Sequence, residues 1–448
     1  MLQAFNEEFL AALAAGRDPA GEAQAAGRAA ALLRELGAGA LEERLFGHPL
    51  LFDAAEFEAL GRAAGALLRA QEKVVRHLRA KRGDEAVLDL FQLPRRLAPF
   101  VRWENLERHD ETVARVDIVP AREGYFICEF NVFPGVGCGE GHRAAELYLE
   151  TLGYPDAGLP QAPLRSLAAL YAARARRGGF ARVVILDSVG HGGLGYPRQL
   201  LLQRYLQEAA PGLAVELCDE KRYPAEWLTP AEGARTLVHR MFTYEEVTDD
   251  FAFLEQLWRS GAQIAGFESE LRMSKRFLAL LCDPAYRPLL DREEVEAAER
   301  YLPRSFVLSE AGLASALRDR EGLVFKWDAP ASYGGSGVLF GAEWPEAELE
   351  RKLRAGGVEH WICQRALDAE TVPMRTPGDA TPLDYRMVLG LFSYGETARG
   401  MALRGSRASR VVNWSHPTGR LGWAFVVDEG ARRALVDHAR GALRPYHS

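Results

Sequence analysis

The sequence predicts a protein of mixed α/β and α+β class, and three regional patterns carry that prediction. Residues 1–100 are rich in Ala, Leu, Glu and Arg, which favour helix. Residues 165–300 alternate short apolar strands with helical segments, which indicates a small parallel sheet. From about residue 300 to residue 425, one predicted strand follows another. At 448 residues, the chain is long enough for two or three domains with substantial cores.

The N-terminal region has one clear helix signal. Asp53 can cap a helix, and Glu56 follows three residues later, which is a pattern typical of helix starts. Periodicity predicts that this helix covers about Ala54–Lys81. The alanine-rich stretch 12–40 is expected to be solvated helix.

The most informative segment of the chain is a predicted β-hairpin over residues 115–131, with a turn that contains Gly124. Arg115 and Asp117 share a face of the first strand, and Glu129 and Asn131 share a face of the second. Pairing of the strands would bring two carboxylates and an amide oxygen together beside an arginine. Such oxygen ligands are typical of Mg²⁺ sites, and an arginine there can stabilise a transferring phosphoryl group. A plain surface hairpin with a solvated polar face is the alternative.

The middle region begins with an apolar strand at residues 183–186, and a helix is predicted over Tyr196–Ala209. Further strands are predicted at 213–217, 236–238 and 263–266. The loop Gly190–Gly195 matches the dinucleotide-binding pattern G-x-G-x-x-G, with Glu216 at a second strand. This match keeps a nicotinamide-dependent oxidoreductase open as an alternative. Tyr196, Arg198 and Arg240 are candidate substrate contacts or structural residues of this region.

Two lysines lie in a context that fits phosphate binding. The chain has only six lysines, so each one retained near a motif is informative. Lys326 lies on a strand before a glycine-rich loop that could cover an anion, and Lys275 lies at the start of a helical pattern. An exposed lysine is the alternative at both positions. The loop consists of Ser332, Tyr333, Gly334, Gly335, Ser336 and Gly337.

The last region contains a candidate hinge for an adenine ring. A strand at 361–364 ends in the segment Gln364, Arg365, Ala366 and Leu367, whose backbone groups could meet an adenine edge. Further strands are predicted at 386–392, 397–403 and 421–427. Arg386, Arg399 and Arg404 lie on such strands and need a salt-bridge partner or a ligand.

Bulk composition limits the classes of protein and of binding partner that remain possible. The chain has 48% apolar residues, as is ordinary for a globular protein. No apolar run approaches the length needed to cross a bilayer, and no signal peptide is recognised. Five scattered cysteines fit a reducing compartment, so a cytoplasmic location is expected. A net charge of −7 predicts no nucleic-acid or membrane partner. The sequence leaves open whether the protein forms a homo-oligomer.

Together these motifs resemble the ATP-grasp ligases, in the circularly permuted form of glutathionylspermidine synthase, over roughly residues 100–425. The hairpin looks like that family's Arg-x-Asp and Glu-x-Asn motif, and it precedes the lysine strand, as the permutation requires. The resemblance implies an ATP-grasp fold divided into a helical region 1–100, a hairpin segment 101–165, a parallel domain 166–300 and a nucleotide-binding part 301–448. The amidase domain of some relatives is absent, and residues 1–100 have no counterpart.

The resemblance also implies roles for the candidate residues. Asp117, Glu129 and Asn131 would hold Mg²⁺, and Arg115 and Arg404 would contact the reacting groups. Lys275, Lys326, the 332–337 loop and the 364–367 hinge would bind ATP. The implied activity joins a small-molecule carboxylate to an amine through an acyl phosphate. A non-catalytic nucleotide-binding protein and phosphoryl transfer to another acceptor remain alternatives.

Overall fold

The computed structural model organises the chain around three β-sheets. It describes residues 1–15, 24–25, 27–29, 31, 44–108, 111–137, 139, 141–153, 162–191, 194–248, 251–328, 337–376, 381–412 and 418–441. Over these residues, no helix is both long and apolar enough to span a bilayer. The four cysteines in the described part of the chain are free thiols.

The main sheet has seven strands and joins distant parts of the sequence. Its strand order is β1-β15-β14-β13-β2-β3, and β12 pairs with β13 on the same side as β2. All of its neighbouring strands are antiparallel except the pair β1 and β15. The strands are β1 Leu50–Asp53, β2 Val113–Ala121, β3 Gly124–Val132, β12 Thr371–Met374, β13 Leu383–Tyr394, β14 Thr397–Ser406 and β15 Arg420–Val427.

The second sheet is parallel and has four strands in the order β5-β4-β6-β7. Its middle strands are buried, as expected for a parallel sheet that is covered on both faces. It packs against the main sheet near Phe392 and Tyr394 through one shared hydrophobic cluster. The strands are β4 Arg182–Leu186, β5 Ala214–Cys218, β6 Thr236–Arg240 and β7 Gln263–Ile264.

The third sheet is antiparallel and has the order β10-β9-β11-β8. Two helices, Glu310–Arg318 and Glu346–Ala355, share its hydrophobic core. The strands are β8 Ser305–Val307, β9 Leu323–Trp327, β10 Val338–Phe340 and β11 Trp361–Arg365.

The longest helix, Ala54–Arg82, covers one face of the main sheet. The Asp53 side chain accepts a hydrogen bond from the Glu56 amide, as the capping pattern predicts. Gly61 permits the close approach of this helix to the β13–β14 turn, because a Cβ there would lie 2.7 Å from the Cβ of Ala398. The remaining helices are Leu2–Ala15, Asp84–Leu90, Gly141–Leu152, Pro163–Gly178, Pro197–Ala209, Pro230–Gly233, Ala252–Arg259, Glu268–Met273, Arg276–Leu280, Arg292–Tyr301 and Glu429–Gly441.

Most predicted elements are present within a few residues of their expected bounds. Strands β1, β8 and β12 were not predicted, since each is four residues or shorter. Strands β1 and β8 also pair with strands that are distant in sequence, β15 and β11. The region 1–100 is therefore not only helical, because β1 pairs with β15 near the other end of the chain. Most of the 12–40 stretch lies outside the described residues.

Candidate active site

Two paired strands of the main sheet, β2 and β3, place the hairpin residues on one face. In the β2–β3 pair, Arg115 lies opposite Asn131, and Asp117 lies opposite Glu129. Directly opposed residues have their Cβ atoms about 5 Å apart. The structure therefore brings the two carboxylates and the amide together, as the hairpin pattern predicts. On the other side of β2, Gly390 of β13 pairs with Asp117.

Asp117 is a buried carboxylate held by two arginines. Its Oδ1 accepts a hydrogen bond of 2.9 Å from Arg115 Nε, and its Oδ2 lies 2.5 Å from Arg404 Nη2. Burial alone would raise the pKa of Asp117, but the charges and hydrogen bonds of Arg115 and Arg404 outweigh it and lower the pKa from 3.8 to about 2. Asp117 is therefore ionised at neutral pH, and Arg404 is paired in the absence of any ligand.

Gly390 provides the space in which the Arg115 side chain lies. A Cβ at residue 390 would be 2.7 Å from Arg115 Cδ, which is closer than real Cβ atoms approach other heavy atoms. Arg115 extends past this glycine, and its Nη1 donates a hydrogen bond of 3.0 Å to the carbonyl of Gly137. The glycine-rich stretch that follows β3 thus fixes the far end of the guanidinium.

Glu129 and Asn131 face the same space as Asp117. Glu129 Oε1 lies 3.1 Å from Lys275 Nζ, and its side chain is one-third exposed. The amide nitrogen of Asn131 donates to the carbonyl of Arg115, so the amide oxygen is the atom left to bind a ligand. Among the described residues, no group of three or more His, Cys, Asp or Glu side chains could hold a metal ion, at this site or at any other. The oxygen donors on this face are two carboxylates, Asp117 and Glu129, and one amide, Asn131.

A β-bulge at Cys128 connects the main sheet to the third sheet. The β2–β3 register shifts between Asp117 and Ile118, which leaves Cys128 without a partner across the pair. Its carbonyl accepts a hydrogen bond of 2.8 Å from Lys326 Nζ on β9. Burial lowers the pKa of Lys326, since only 8% of the residue is exposed and desolvation disfavours the ammonium. An anion placed beside this lysine would restore its preference for the charged form.

Lys275 lies in a break between the helices Glu268–Met273 and Arg276–Leu280, and it is buried rather than exposed. The break is fixed by Asp328, the residue after β9. Its carboxylate accepts a hydrogen bond of 2.7 Å from Ser274 Oγ and pairs with Arg276 at 2.9 Å. Residues on both sides of Lys275 are therefore anchored to the end of the strand that carries Lys326, which brings the two lysines to one site.

The proposed hinge lies along the same cavity, but several of its groups are already bonded. Gln364 is buried and donates to Ser305 Oγ at 3.1 Å. The Arg365 amide donates to the Arg304 carbonyl, and the Ala366 amide donates to the Gly322 carbonyl. The amides of Arg365 and Ala366 are therefore already bonded within the protein, and the contact of this segment with an adenine edge stays a prediction.

Most of the glycine-rich loop lies outside the described residues, namely Ser332, Tyr333, Gly334, Gly335 and Ser336. Gly337 is described and has a φ of 86°, in the region that favours glycine. Its carbonyl accepts a hydrogen bond of 2.7 Å from the Trp327 amide, so the loop leaves β9 and returns to β10 at this point.

These residues line one cavity of about 1210 Å³ between the three sheets. Basic residues outnumber acidic ones along its wall, although the whole chain carries a net charge of −7. A cavity with an excess of cations is suited to an anionic ligand. The basic residues along the wall are Arg115, Arg198, Lys275, Lys326, Arg365, Arg386, Arg404 and Arg410, and the acidic residues are Asp117, Glu129, Glu246, Glu321 and Asp368.

The cavity also contains residues without a predicted role in ATP binding. Arg386 has no ion-pair or hydrogen-bond partner among the residues that the structure describes, whereas Arg404 is paired. An arginine on an otherwise apolar strand is the sequence signal for it. From the parallel sheet side, His191, Thr243 and Glu246 reach the cavity. The sequence predicts that the loop Gly190–Gly195, which contains His191, can meet the carboxylate or amine substrate, whereas Thr243 and Glu246 had no such signal.

The three candidate residues of the parallel region have different surroundings. Arg198 lines the cavity and donates a hydrogen bond of 2.6 Å to the carbonyl of Gly135. Tyr196 is exposed and lies outside the cavity wall. Arg240 is a structural residue, because it is fully buried and pairs with Glu270 at 2.7 Å.

The G-x-G-x-x-G match has a geometry unlike a dinucleotide-binding turn. Strand β4 ends at Leu186, a short turn covers Val189–His191, and the helix begins only at Pro197. Gly190 packs against the backbone, since a Cβ there would lie 2.2 Å from the carbonyl oxygen of Glu246. The dinucleotide motif instead needs a tight glycine turn that joins strand and helix directly. Gly192 and Gly193 lie outside the described residues.

A solved structure shares the fold of this chain. It is a glutathione synthetase-like effector from Globodera pallida in its apo form, with a TM-score of 0.63 and 14% sequence identity over 92% of this chain and 98% of that chain. Identity this low shows the fold alone. The chain therefore has the mixed α/β fold of a glutathione synthetase-like protein over most of its length. No family model matches the sequence, and no curated protein matches it.

Proposed function

We propose that this protein is an ATP- and Mg²⁺-dependent carboxylate–amine ligase with a circularly permuted ATP-grasp fold. The observation that carries the proposal is the convergence of Asp117, Glu129 and Asn131 with Lys275 and Lys326 in one cavity between the three sheets. These five residues come from three distant segments: the β2–β3 hairpin, the helix break at Lys275 and strand β9. If the hairpin were an ordinary solvated surface feature, nothing would require these side chains to lie together in one cavity.

The cationic side chains bind the phosphates of ATP. Lys326 approaches from β9, and Lys275 approaches from the helix break, where it faces Glu129. Their compact ammonium groups suit phosphate oxygens. Val324, Phe340 and the segment up to Leu367 form the wall for the adenine ring.

The oxygen donors fit a magnesium ion in chemistry and in position. Asp117 is ionised, Glu129 is partly exposed, and both lie directly opposite each other on paired strands. Mg²⁺ typically takes one or two carboxylates together with substrate phosphates. When bound, the ion would neutralise part of the phosphate charge. Arg115 and Arg404 hold Asp117 in place, and their positive charges stabilise the reacting phosphoryl group.

The reaction activates a carboxylate with ATP. The carboxylate attacks the γ-phosphate to give an acyl phosphate and ADP, and an amine then replaces the phosphate to form an amide. Arg386 lines the cavity without a partner in the described residues, and it binds a carboxylate of the substrate. The enclosing sheets limit the access of water, which would otherwise hydrolyse the acyl phosphate.

The order of the motifs along the chain supports the permuted arrangement. The metal-ligand strands β2 and β3 come first, and the lysine strand β9 and the hinge strand β11 follow. In the glutathionylspermidine synthase-like arrangement that the sequence resembles, the order is the same. The fold shared with a glutathione synthetase-like protein is also consistent with ligase chemistry.

The test is ADP release from ATP and Mg²⁺ with pools of amino acids, dipeptides and polyamines. Hydroxylamine serves as a general amine, since it traps an acyl phosphate as a hydroxamate. We expect ADP and hydroxamate with at least one carboxylate pool, and no ADP with Glu129→Gln. ADP without hydroxamate or amide would indicate transfer to a non-carboxylate acceptor. Thermal stabilisation by NAD and not by ATP would contradict the proposal and favour the oxidoreductase alternative.

A further inference from the structure

His191 is a cavity residue with an unusually well-defined orientation. It follows β4 in the short turn Val189–His191 and lines the cavity on the side of the parallel sheet. Its Nδ1 lies 2.8 Å from Oδ1 of Asp187, which is fully buried. The same wall of the cavity carries the carboxylate of Glu246 and the guanidinium of Arg198.

Asp187 fixes the orientation and the tautomer of His191. Its Oδ1 also accepts a hydrogen bond of 2.8 Å from the Ser188 amide, and its Oδ2 accepts one from the Gln199 side chain. A carboxylate with these partners is an acceptor, so His191 Nδ1 must donate to it. Nε2 is then the ring nitrogen that can gain or lose a proton. The same logic applies to any imidazole oriented by a buried carboxylate.

The surroundings of Nε2 favour a positively charged partner. Glu246 Oε1 lies 3.8 Å from Nε2, and its other oxygen accepts from the Thr243 amide. The hydrogen bond that His191 donates to Asp187 raises the pKa of His191, with a further contribution from the charge of Glu246, against burial and the charge of Arg198. The Tyr196 ring packs beside the imidazole. A substrate ammonium between Glu246 and Nε2 would thus meet one carboxylate and one proton acceptor.

A short backbone segment connects this wall to the phosphoryl side of the cavity. Arg198 donates to the carbonyl of Gly135, and Arg115 donates to the carbonyl of Gly137. Gly135 tolerates no side chain, since a Cβ there would lie 2.6 Å from the Met241 carbonyl oxygen. Residues 135–137 therefore accept hydrogen bonds from both sides of the cavity. Arg198 donates from the side of His191, and Arg115 donates from the side of the reacting phosphoryl group.

We propose that His191 accepts the proton of the attacking ammonium in the ligase reaction, with Asp187 as its positioning residue and Glu246 as the carboxylate that attracts the ammonium. This inference rests on the proposed function and assigns the amine substrate to the parallel-sheet side of the cavity. The ammonium gives one proton to Nε2 of neutral His191. The resulting amine attacks the acyl phosphate carbon, the new C–N bond forms, the C–O bond to phosphate breaks, and the departing phosphate takes the second amine proton.

The test compares two kinds of amine in His191→Gln. Hydroxylamine is largely neutral near pH 7 and needs no base, whereas the pooled amino acids and polyamines carry ammonium groups. We expect amide formation from the pooled amines to fall about 100-fold, in the range typical of a lost general base. Hydroxamate formation should stay within about threefold of wild type by the same reasoning. His77→Gln, on a helix away from the cavity, is the matched control.

The outcomes separate this inference from the proposed function. An equal fall of hydroxamate and amide in His191→Gln, or no fall of either, would overturn the role of His191 and leave the ligase intact. If the wild type forms neither product, both the proposed ligase activity and the proposed role of His191 are contradicted. ATP-dependent thermal stabilisation of His191→Gln shows that the variant is folded.

Asp187→Asn tests the positioning role through the pH profile. Wild-type amide formation should decline at acidic pH, because His191 must be neutral to accept a proton. Removing the carboxylate that raises the pKa of His191 should move that decline to lower pH. The hydroxamate profile should not move. A profile of amide formation that stays unchanged in Asp187→Asn would contradict the assignment.

Discussion

Lys326 donates a hydrogen bond of 2.8 Å to the carbonyl of Cys128, the residue that bulges from strand β3. The bond crosses from the third sheet to the main sheet, and the next residue after Cys128 is the metal-ligand candidate Glu129. The lysine that we propose to bind ATP phosphates is thus held next to a proposed metal ligand.

Lys326→Met should weaken ATP binding. The variant keeps the apolar length of the side chain but removes the ammonium, and we expect a loss of at least about 10-fold in ATP affinity, as for one lost charged hydrogen bond. Isothermal titration with ATP and Mg²⁺ measures this. Lys352→Met, on the outer helix Glu346–Ala355, is the control and should bind ATP like wild type. Equal ATP affinity of the two variants would show that Lys326 does not bind ATP.

Glu129→Gln should abolish turnover and leave the fold intact. The change removes a charged metal ligand at nearly constant volume, and the partner Lys275 stays close to the remaining amide. We expect the free energy of unfolding to change by less than about 1 kcal/mol, because the side chain is partly exposed. Urea unfolding and ADP release measure the two effects. Glu58→Gln, on an exposed helix surface, is the control, and wild-type turnover in Glu129→Gln would disprove the metal assignment.

Gly390→Ala should reduce activity by displacing Arg115. The new methyl group would lie 2.7 Å from Arg115 Cδ, so the guanidinium must move from its place between Asp117 and the Gly137 carbonyl. Misplacement of about 1 Å in a catalytic group can cost about 100-fold in rate. Gly430→Ala, whose Cβ would meet only an ordinary contact, is the control for the ADP-release assay. Full activity of Gly390→Ala would show that Arg115 tolerates the shift.

Because of Asp117, the free energy of unfolding should depend on pH in the acidic range. Its pKa is lowered from 3.8 to about 2 in the folded protein, so the ionised form stabilises the fold above pH 3.8. This contribution, on the order of 2 kcal/mol, is lost as the pH falls from 3.8 through about 2. Urea unfolding between pH 7 and pH 2 measures it.

Asp117→Asn is the variant that isolates this contribution. It leaves Arg115 and Arg404 without their shared carboxylate, and we expect it to cost about 3–5 kcal/mol at pH 7, as for a broken buried pair. The cost should shrink as the pH falls toward 2. Asp437→Asn, on an exposed helix, is the control. A cost for Asp117→Asn that does not vary with pH would contradict the lowered pKa.

Arg240→Met should destabilise the fold without affecting ATP binding. The change leaves Glu270 buried and unpaired, at a cost of about 3–5 kcal/mol. Replacing both residues, in Arg240→Met with Glu270→Leu, should recover most of that loss. Thermal unfolding with and without ATP measures both effects. A loss of ATP-dependent stabilisation in the double variant would instead place Arg240 in the binding site.

The hairpin shows how far the residues alone could predict the candidate site. Arg115 and Asp117 are two residues apart, as are Glu129 and Asn131, and side chains of a strand alternate between faces. The shared faces were therefore predictable before any fold was known. The bulge at Cys128 was not predictable, because it depends on the register that the two strands adopt together.

Lys275 shows the opposite case. Its sequence context by itself favoured an ordinary exposed helical lysine over a ligand-binding one. Its burial follows from Asp328, which bonds both Ser274 and Arg276 across a large separation in the sequence. Likewise, only the packing of the parallel sheet against the main sheet brings His191 to the cavity.

The sequence by itself determined the class of the fold, the helix after Asp53 and the polar face of the hairpin, because each depends on periodicity and capping within a few residues. The tertiary structure decided which sheets face one another, that Arg240 is structural, that Arg404 already pairs with Asp117, and that His191 lines the cavity. These outcomes depend on contacts between segments far apart in the chain, and local side-chain preferences do not encode such contacts.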